Sequence, residues 1–497
     1  MTTLIKNVQL IDGAGKPAFK ADILIKGKII SAIGSLSKYR ADTTIDGMGA
    51  YLSPGFIDIH GTSDRYLTLF KKDEQNNLLR QGVTTIIGGQ DGLSLAPLIY
   101  GSLDLLHDWA DVRKINVNWH TISEFLKVLS GKKMALNFGT MVGYKTIEHS
   151  IKGDSERAMS GNEIKVFLHI LERALREGAF GLSIGSDYFG VSKTGFYDLK
   201  NILKIVAKHK TLFSFELSGD GEEKLSSLKK FTSLIEEAGT RSCVSHAEPI
   251  LGFESVQEKI LAEIGNVSAR ADLFFETCPA NSTIFPVCAI LPKELFIKEE
   301  NEKINTERIL DVLENNKKRE EIRKKLPKLK LNDIRIISVP EHSYLEGKLL
   351  KDYGKNRGLT LTQALVHLIQ STRGRAVISY KNIDPKANLL QAANDRTVIS
   401  SALGHSKIGK EHSFLKFLQA AERSKIMPIE IGVRKLTALP AARLGIKDRG
   451  RVAVGNRADV IIFKGTDVRE TIINGKRAII NGKIADDSPG EVLKSGK

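Results

Sequence analysis

Along much of this chain, carboxylates, imidazoles and hydroxyls stand at the ends of short apolar runs. Asp58 and His60 close GFIDIH, Asp91 follows TTIIGG, and Asp187 and Tyr188 follow AFGLSIG. Glu216 lies in LFSFEL, His246 and Glu248 in and just after CVSHA, and Ser400 and Ser401 at the end of TVISS. Imidazole and carboxylate donors brought to one spot can hold a divalent cation, and a further carboxylate beside them can carry a proton. A lone histidine is more often structural. Two histidines and several carboxylates, each just past a different run, converge only if the runs share one mouth.

The runs themselves supply that mouth. They cover 55–60, 84–89, 135–143, 179–185, 212–217, 243–247, 273–278 and 397–401, eight in all, with helical stretches between them. Strands apolar on both faces that alternate with helices predict a (β/α)8 barrel, whose chemistry sits at the strand C-terminal ends. One connecting helix is written with both its ends. Ser160 and Glu163 have capping-box spacing, Ile164, Phe167, Leu168, Leu171, Ala174 and Leu175 recur at helical period, and Gly178 ends it.

Both termini are different in kind. Leu4–Ile11 and Ile23–Ile33 read as short strands, the second a hairpin turning at Gly27, and DVIIF, ETIINGK and AIINGK repeat the pattern with Asn474-Gly475 and Asn481-Gly482 turns. Neither end can bury a face alone, so the two are expected to form one small β-sandwich domain, residues 1–53 plus 430–497, beside a barrel of residues 54–429. A densely charged helical insertion at 289–345, with a strand-like piece at Ile334–Val339, interrupts the alternation after the seventh strand. An insertion there lies on the catalytic face and is placed as a lid would be.

Composition narrows the classes. The 497 residues are 41% hydrophobic and 27% charged, which suits a large folded core and excludes a disordered or collagen-like chain. Three cysteines, none in a CxxC pair, suit reduced thiols rather than a disulfide framework. No signal peptide and no membrane-spanning run is expected, and the chain reads as cytoplasmic. The formal charge of +16 is large, but basic and acidic residues interleave, as in KKDEQNN, and aromatics are only 6%. That pattern describes a solvated surface and argues against a nucleic-acid partner.

PGFIDIHG, RQGVTTIIGGQDGLSLAP, REGAFGLSIGSDY and LTALPAARLGIKDRGRVAVGNRADVIIF resemble the amidohydrolase superfamily, and within it the D-aminoacylase (N-acyl-D-amino-acid deacylase) group. The resemblance runs from about residue 3 to about residue 485. It implies a zinc-dependent TIM barrel beside a β-sandwich built from both ends. It also implies a site that this chain has altered. The family's HxH pair is matched by His60-Gly61-Thr62, its zinc-binding cysteine by Asp91, and its fifth-strand histidine by Glu216, while the sixth-strand histidine remains as His246. The family's proton-shuttling aspartate falls on Ser401 or Ala402, and Glu248 or His405 would have to replace it.

The resemblance therefore implies His60, Asp91, Glu216 and His246 as ligands of one divalent metal, with zinc yielding ground to manganese as carboxylates replace softer donors. Ser401 and Glu248 are the candidate catalytic groups. Tyr188, His405 and Lys407 match substrate-facing positions, and Lys407 keeps a positive charge for an anionic small molecule while losing the two-pronged geometry of an arginine. The expected activity is hydrolysis of a non-peptide amide bond by metal-activated water, with an N-acyl amino acid as the model substrate. The alternative is an inactive amidohydrolase-fold protein that binds a ligand or a protein partner.

Overall fold

The computed structural model describes the chain apart from residues 108, 154, 156, 187–195, 218–220, 292–305, 327–330, 402–412 and 497. Eight parallel strands carry the centre. Phe56–Asp58, Val83–Gly88 and Asn137–Thr140 pair in that order. Val142–Gly143, Gly181–Ile184, Leu212–Glu216, Arg241–Ser245, Leu273–Thr277 and Thr397–Ile399 form the second arc. The third strand belongs to both arcs, broken only at Met141. Across the remaining seam, Ser401 donates its backbone N–H to Asp58 Oδ1 at 2.8 Å and its hydroxyl to Asp58 Oδ2, tying the end of the eighth strand to the first. Every barrel strand but the fourth and sixth is buried along its whole length, which is why the sequence shows continuous apolar runs here and not alternation.

The helices coat this ring through their apolar stripes. Gly161–Glu177 begins at the reciprocal Ser160/Glu163 capping box and ends at Gly178 in the left-handed region, φ 114°. Its Ile164, Phe167, Leu171, Ala174 and Leu175 are buried.

The two chain ends share one nine-stranded sheet rather than two separate ladders. Tyr51–Pro54 is the stitch: it pairs in parallel with Thr2–Leu10 and antiparallel with Val460–Lys464. One face buries Ile5, Val8, Leu10, Ile23, Ile25, Leu52, Val460, Ile462 and Ile472 as a core of its own. The Asn-Gly turns behave as their residues require, with positive φ at Asn474, Gly475, Asn481 and Gly482.

The insertion is larger than its charged run. Strand Ile334–Ser338 pairs with Val377–Tyr380, which also pairs with Thr283–Pro286. Helices Thr306–Glu314, Leu350–Lys355 and Leu361–Ser371 close over this small sheet around a separate apolar core that includes Val287, Leu313, Ile336, Leu350, Leu365 and Ile378. The unit thus extends past residue 345, because its central strand lies at 377–380.

Candidate metal centre at the strand ends

Three of the expected side chains meet. His60 Nε2 lies 3.1 Å and His246 Nε2 3.3 Å from Asp91 Oδ2, and the two imidazoles stand edge to face with centroids 5.0 Å apart. Donor atoms of His60, Asp91 and His246 all fall within 4.8 Å of one another. They come from the loops after the first, second and sixth strands, as a shared barrel mouth requires.

The backbone is bent to deliver them. Asp91 and His246 both have φ 51°, in the left-handed region that non-glycine residues seldom adopt and that clusters at functional sites. The Asp91 turn is pressed between neighbouring strands. A Cβ at Gly89 would lie 2.2 Å from the Met141 carbonyl oxygen, and one at Gly185 would lie 2.3 Å from the Asp91 carbonyl oxygen. The glycines of GGQDG and SIGSD are therefore steric requirements of the turn that carries Asp91.

Behind each imidazole stands a carboxylate. Glu276 hydrogen-bonds His60 Nδ1, and Glu248 Oε2 lies 3.9 Å from His246 Nδ1. The Glu276 bond fixes the His60 ring and turns its Nε2 to the site, the arrangement that orients metal-ligating histidines, whereas Glu248 lies beyond hydrogen-bond reach of His246 and acts on it through charge. Burial opposes charge on both rings, but the carboxylates outweigh it. Asp91, then Glu216 and Glu248, lift His246 to about 9, and Asp91 with Glu276 lifts His60 well above the ordinary range. Burial pushes Asp91 up, yet His60, Arg65 and His246 together hold its carboxyl well below the usual carboxylate value.

The donor chemistry fits a divalent ion. Two nitrogens and a carboxylate oxygen suit zinc or manganese. Asp91 Oδ1 is buried with no hydrogen-bond partner among the described residues, an acceptor left over for a cation.

The other expected residues divide. Glu216 is buried beside the trio but outside its three-donor group, and it accepts a hydrogen bond from Ser186 N at 2.9 Å. Burial raises its carboxyl, with the His246 charge pulling the other way. Ser401 is engaged with Asp58, whose own carboxyl burial raises against the Ser401 hydrogen bonds. Asp187, Tyr188, Ala402, His405 and Lys407 lie outside the described residues.

Two residues at the site have no counterpart in the sequence reading. Glu276 sits inside the seventh strand, where only its charge between Phe274, Phe275 and Thr277 marks it. Arg65, five residues past His60, contacts Asp91 Oδ2 through Nη2 and stacks over the Trp109 ring, its guanidinium carbon 4.7 Å from the centroid.

An eight-stranded parallel ring, a sheet built from both chain ends and a His/Asp/His group at the strand C-termini are the features to set beside known proteins, and the chain is similar to deacylases of the amidohydrolase superfamily. D-aminoacylase of Alcaligenes xylosoxydans xylosoxydans is 25% identical over 484 residues, covering 94% of this chain and 89% of that protein. N-acyl-D-aspartate deacylase of the same organism is 23% identical over 520 residues, covering 99% and 95%. The fold is shared with N-acyl-D-glutamate deacylase of Bordetella bronchiseptica, a structure complexed with zinc and a phosphonate inhibitor that mimics the tetrahedral intermediate. Its TM-score is 0.79 at 20% identity, with 99% of each chain covered. No family model matches the chain. Over nearly its full length the chain is thus similar to D-aminoacylase and related N-acyl-D-amino-acid deacylases of the amidohydrolase superfamily, at 20–25% identity.

Proposed function

We propose that this protein is a metal-dependent amidohydrolase that cleaves a non-peptide amide bond of a small anionic substrate, with an N-acyl amino acid as the leading class. The observation that carries the proposal is the His60/Asp91/His246 group, its donor atoms within 4.8 Å and both rings backed by carboxylates. These three residues would hold one divalent ion. When bound, such an ion polarises an amide carbonyl and acidifies water.

The chain's own groups do the rest. Glu276 keeps the His60 ring turned so that Nε2 faces the site, and Glu248 lends His246 a nearby negative charge. Glu216, outside the three-donor group and bonded by the Ser186 N–H, is proposed not as a ligand but as the carboxyl that takes a proton from water and returns it to the leaving amine as the C–N bond breaks. Ser401 serves in this scheme as a positioning residue. Its hydroxyl donates to Asp58 and cannot act as a base at neutral pH. Tyr188, His405 and Lys407, outside the described residues, are proposed as substrate contacts on the family resemblance alone, Lys407 for its positive charge.

One observation favours the second reading, a ligand-binding protein without catalysis: the Arg65 guanidinium already contacts the one carboxylate of the metal group. Elemental analysis of the purified protein separates the two. The hydrolase proposal expects about one transition metal per chain, lost in His246→Ala and held roughly 10–100-fold more weakly in Glu276→Gln. It also expects amine release from at least one of a panel of N-acetylated D- and L-amino acids. A protein without metal, whose melting is unmoved by zinc or manganese and which releases no amine, would leave only the binding protein.

A further inference from the structure

Arg65 is held more firmly than a loop arginine needs to be. Its side chain is only 10% exposed, its Nη2 reaches both Asp91 Oδ2 and, at 3.3 Å, the Gln90 carbonyl, and its guanidinium carbon sits over the Trp109 ring. Trp109 packs edge to face on Tyr66, with ring centroids 5.8 Å apart, and Ile337 and Val377 of the insertion complete that apolar cluster. The backbone just before it is pinned as well: Asp64 accepts from Gly89 N at 2.6 Å and from Arg65 N at 3.0 Å. Stack, carbonyl and anchored backbone all aim one permanent positive charge at Asp91.

Asp91 is the only carboxylate of the three-donor group, and His60, His246 and Arg65 all reach the same oxygen, Oδ2. A divalent ion bound there must share Asp91 with a guanidinium that cannot lose its proton and is stacked so that it cannot easily swing away. Two cations on one carboxylate in a buried setting oppose each other.

We propose that Arg65 is a resident counter-cation of the metal centre, competing with the divalent ion for Asp91 and thereby holding the site to one weakly retained ion. The inference rests on the metal-dependent reading above and deepens it. Arg65 acts through Asp91 and is a positioning residue, not a catalytic one.

The test is a titration of zinc chloride, and separately manganese chloride, into chelator-stripped full-length protein, with binding heats followed and ions per chain counted by elemental analysis. Arg65→Gln should bind about tenfold tighter than the wild type or better, and Arg65→Lys, which keeps the charge, should stay near the wild type. A purely structural role would not make Lys and Gln differ in this direction. Should Arg65→Gln fold only when an ion is present, that dependence would reflect the stranded Asp91 charge and not the affinity, and the comparison then rests on the second variant. Trp109→Leu, which loosens the stack but leaves the charge, then gives a second measurement and should fall between wild type and Gln. Equal affinity in the wild type and both variants would overturn the role of Arg65 while leaving the metal centre standing. Absence of binding in every form, wild type included, would remove the metal centre and this inference with it.

Discussion

At the scale of single residues, the site is a charge balance. Asp58, Asp64, Asp91, Glu216, Glu248 and Glu276 are all buried or nearly so around the strand ends, and Arg65 is the permanent cation among the side chains that touch Asp91. His60 and His246 supply the balance, either as protonated rings or as neutral ligands of a divalent ion. The two states predict opposite pH behaviour. The folded-state value of His246, about 9, lies above the ordinary 6.5, so in stripped protein its charge stabilises the fold fully below pH 6.5 and the contribution is lost as pH rises through 9. His60 shifts in the same direction. Ion binding requires both rings neutral and releases their protons, so stabilisation by zinc should grow over that same window. Thermal melts of stripped and zinc-loaded protein from pH 6 to 9 should therefore diverge, the stripped form falling relative to the loaded one. Parallel curves would mean that the imidazoles do not exchange protons for the ion.

At the scale of elements, legibility in the sequence followed how local the determining physics is. The helix Gly161–Glu177 could be read residue by residue, because capping box, stripe and terminal glycine all act within one segment. Ser160→Ala should cost about 1 kcal/mol, since the Glu163 N–H loses its acceptor, and urea denaturation should show the change in midpoint without a change in slope. The barrel runs were legible for a related reason: a strand buried on both faces must be apolar throughout. His60, Asp91 and His246 could be found because they follow such strands. Glu276 could not, since it lies within its strand and its partner, His60 Nδ1, is 216 residues away in sequence. Arg65 was hidden by its loop, where an arginine ordinarily faces solvent. The true extent of the insertion was hidden too, because Leu361–Ser371 has the same apolar period as a barrel helix and only the pairing of Val377–Tyr380 assigns it elsewhere.

At the scale of the whole molecule, the barrel and the terminal sheet are joined by a buried polar network rather than by apolar contact alone. Asn137, on the third barrel strand, donates to Asp459 Oδ2 at 2.8 Å and accepts from Asn474 at 2.8 Å. Arg449 Nε donates to the same Asp459 oxygen at 2.8 Å, and Arg449 Nη2 to Asn474 at 2.9 Å. The C-terminal segment then runs along that strand, with Phe138 N donating to the Glu491 carbonyl and Leu493 N to the Phe138 carbonyl. Surface ion pairs such as Lys259–Glu222 contribute little by comparison, being screened and exposed. The network is different, because both side chains of the Arg449–Asp459 pair are only 4% exposed. Burial already pushes the Asp459 carboxyl up, with Arg449 opposing it. Removing Arg449 leaves that charge uncompensated, so Arg449→Met should cost about 3–5 kcal/mol. Replacing both partners, Arg449→Met with Asp459→Leu, should cost less than the single change, because no buried charge is then stranded. A denaturation cycle over the four forms measures the coupling. If the double variant is as unstable as the sum of the two singles, the pair does not act as a unit, and the seam between the two bodies draws its strength from elsewhere.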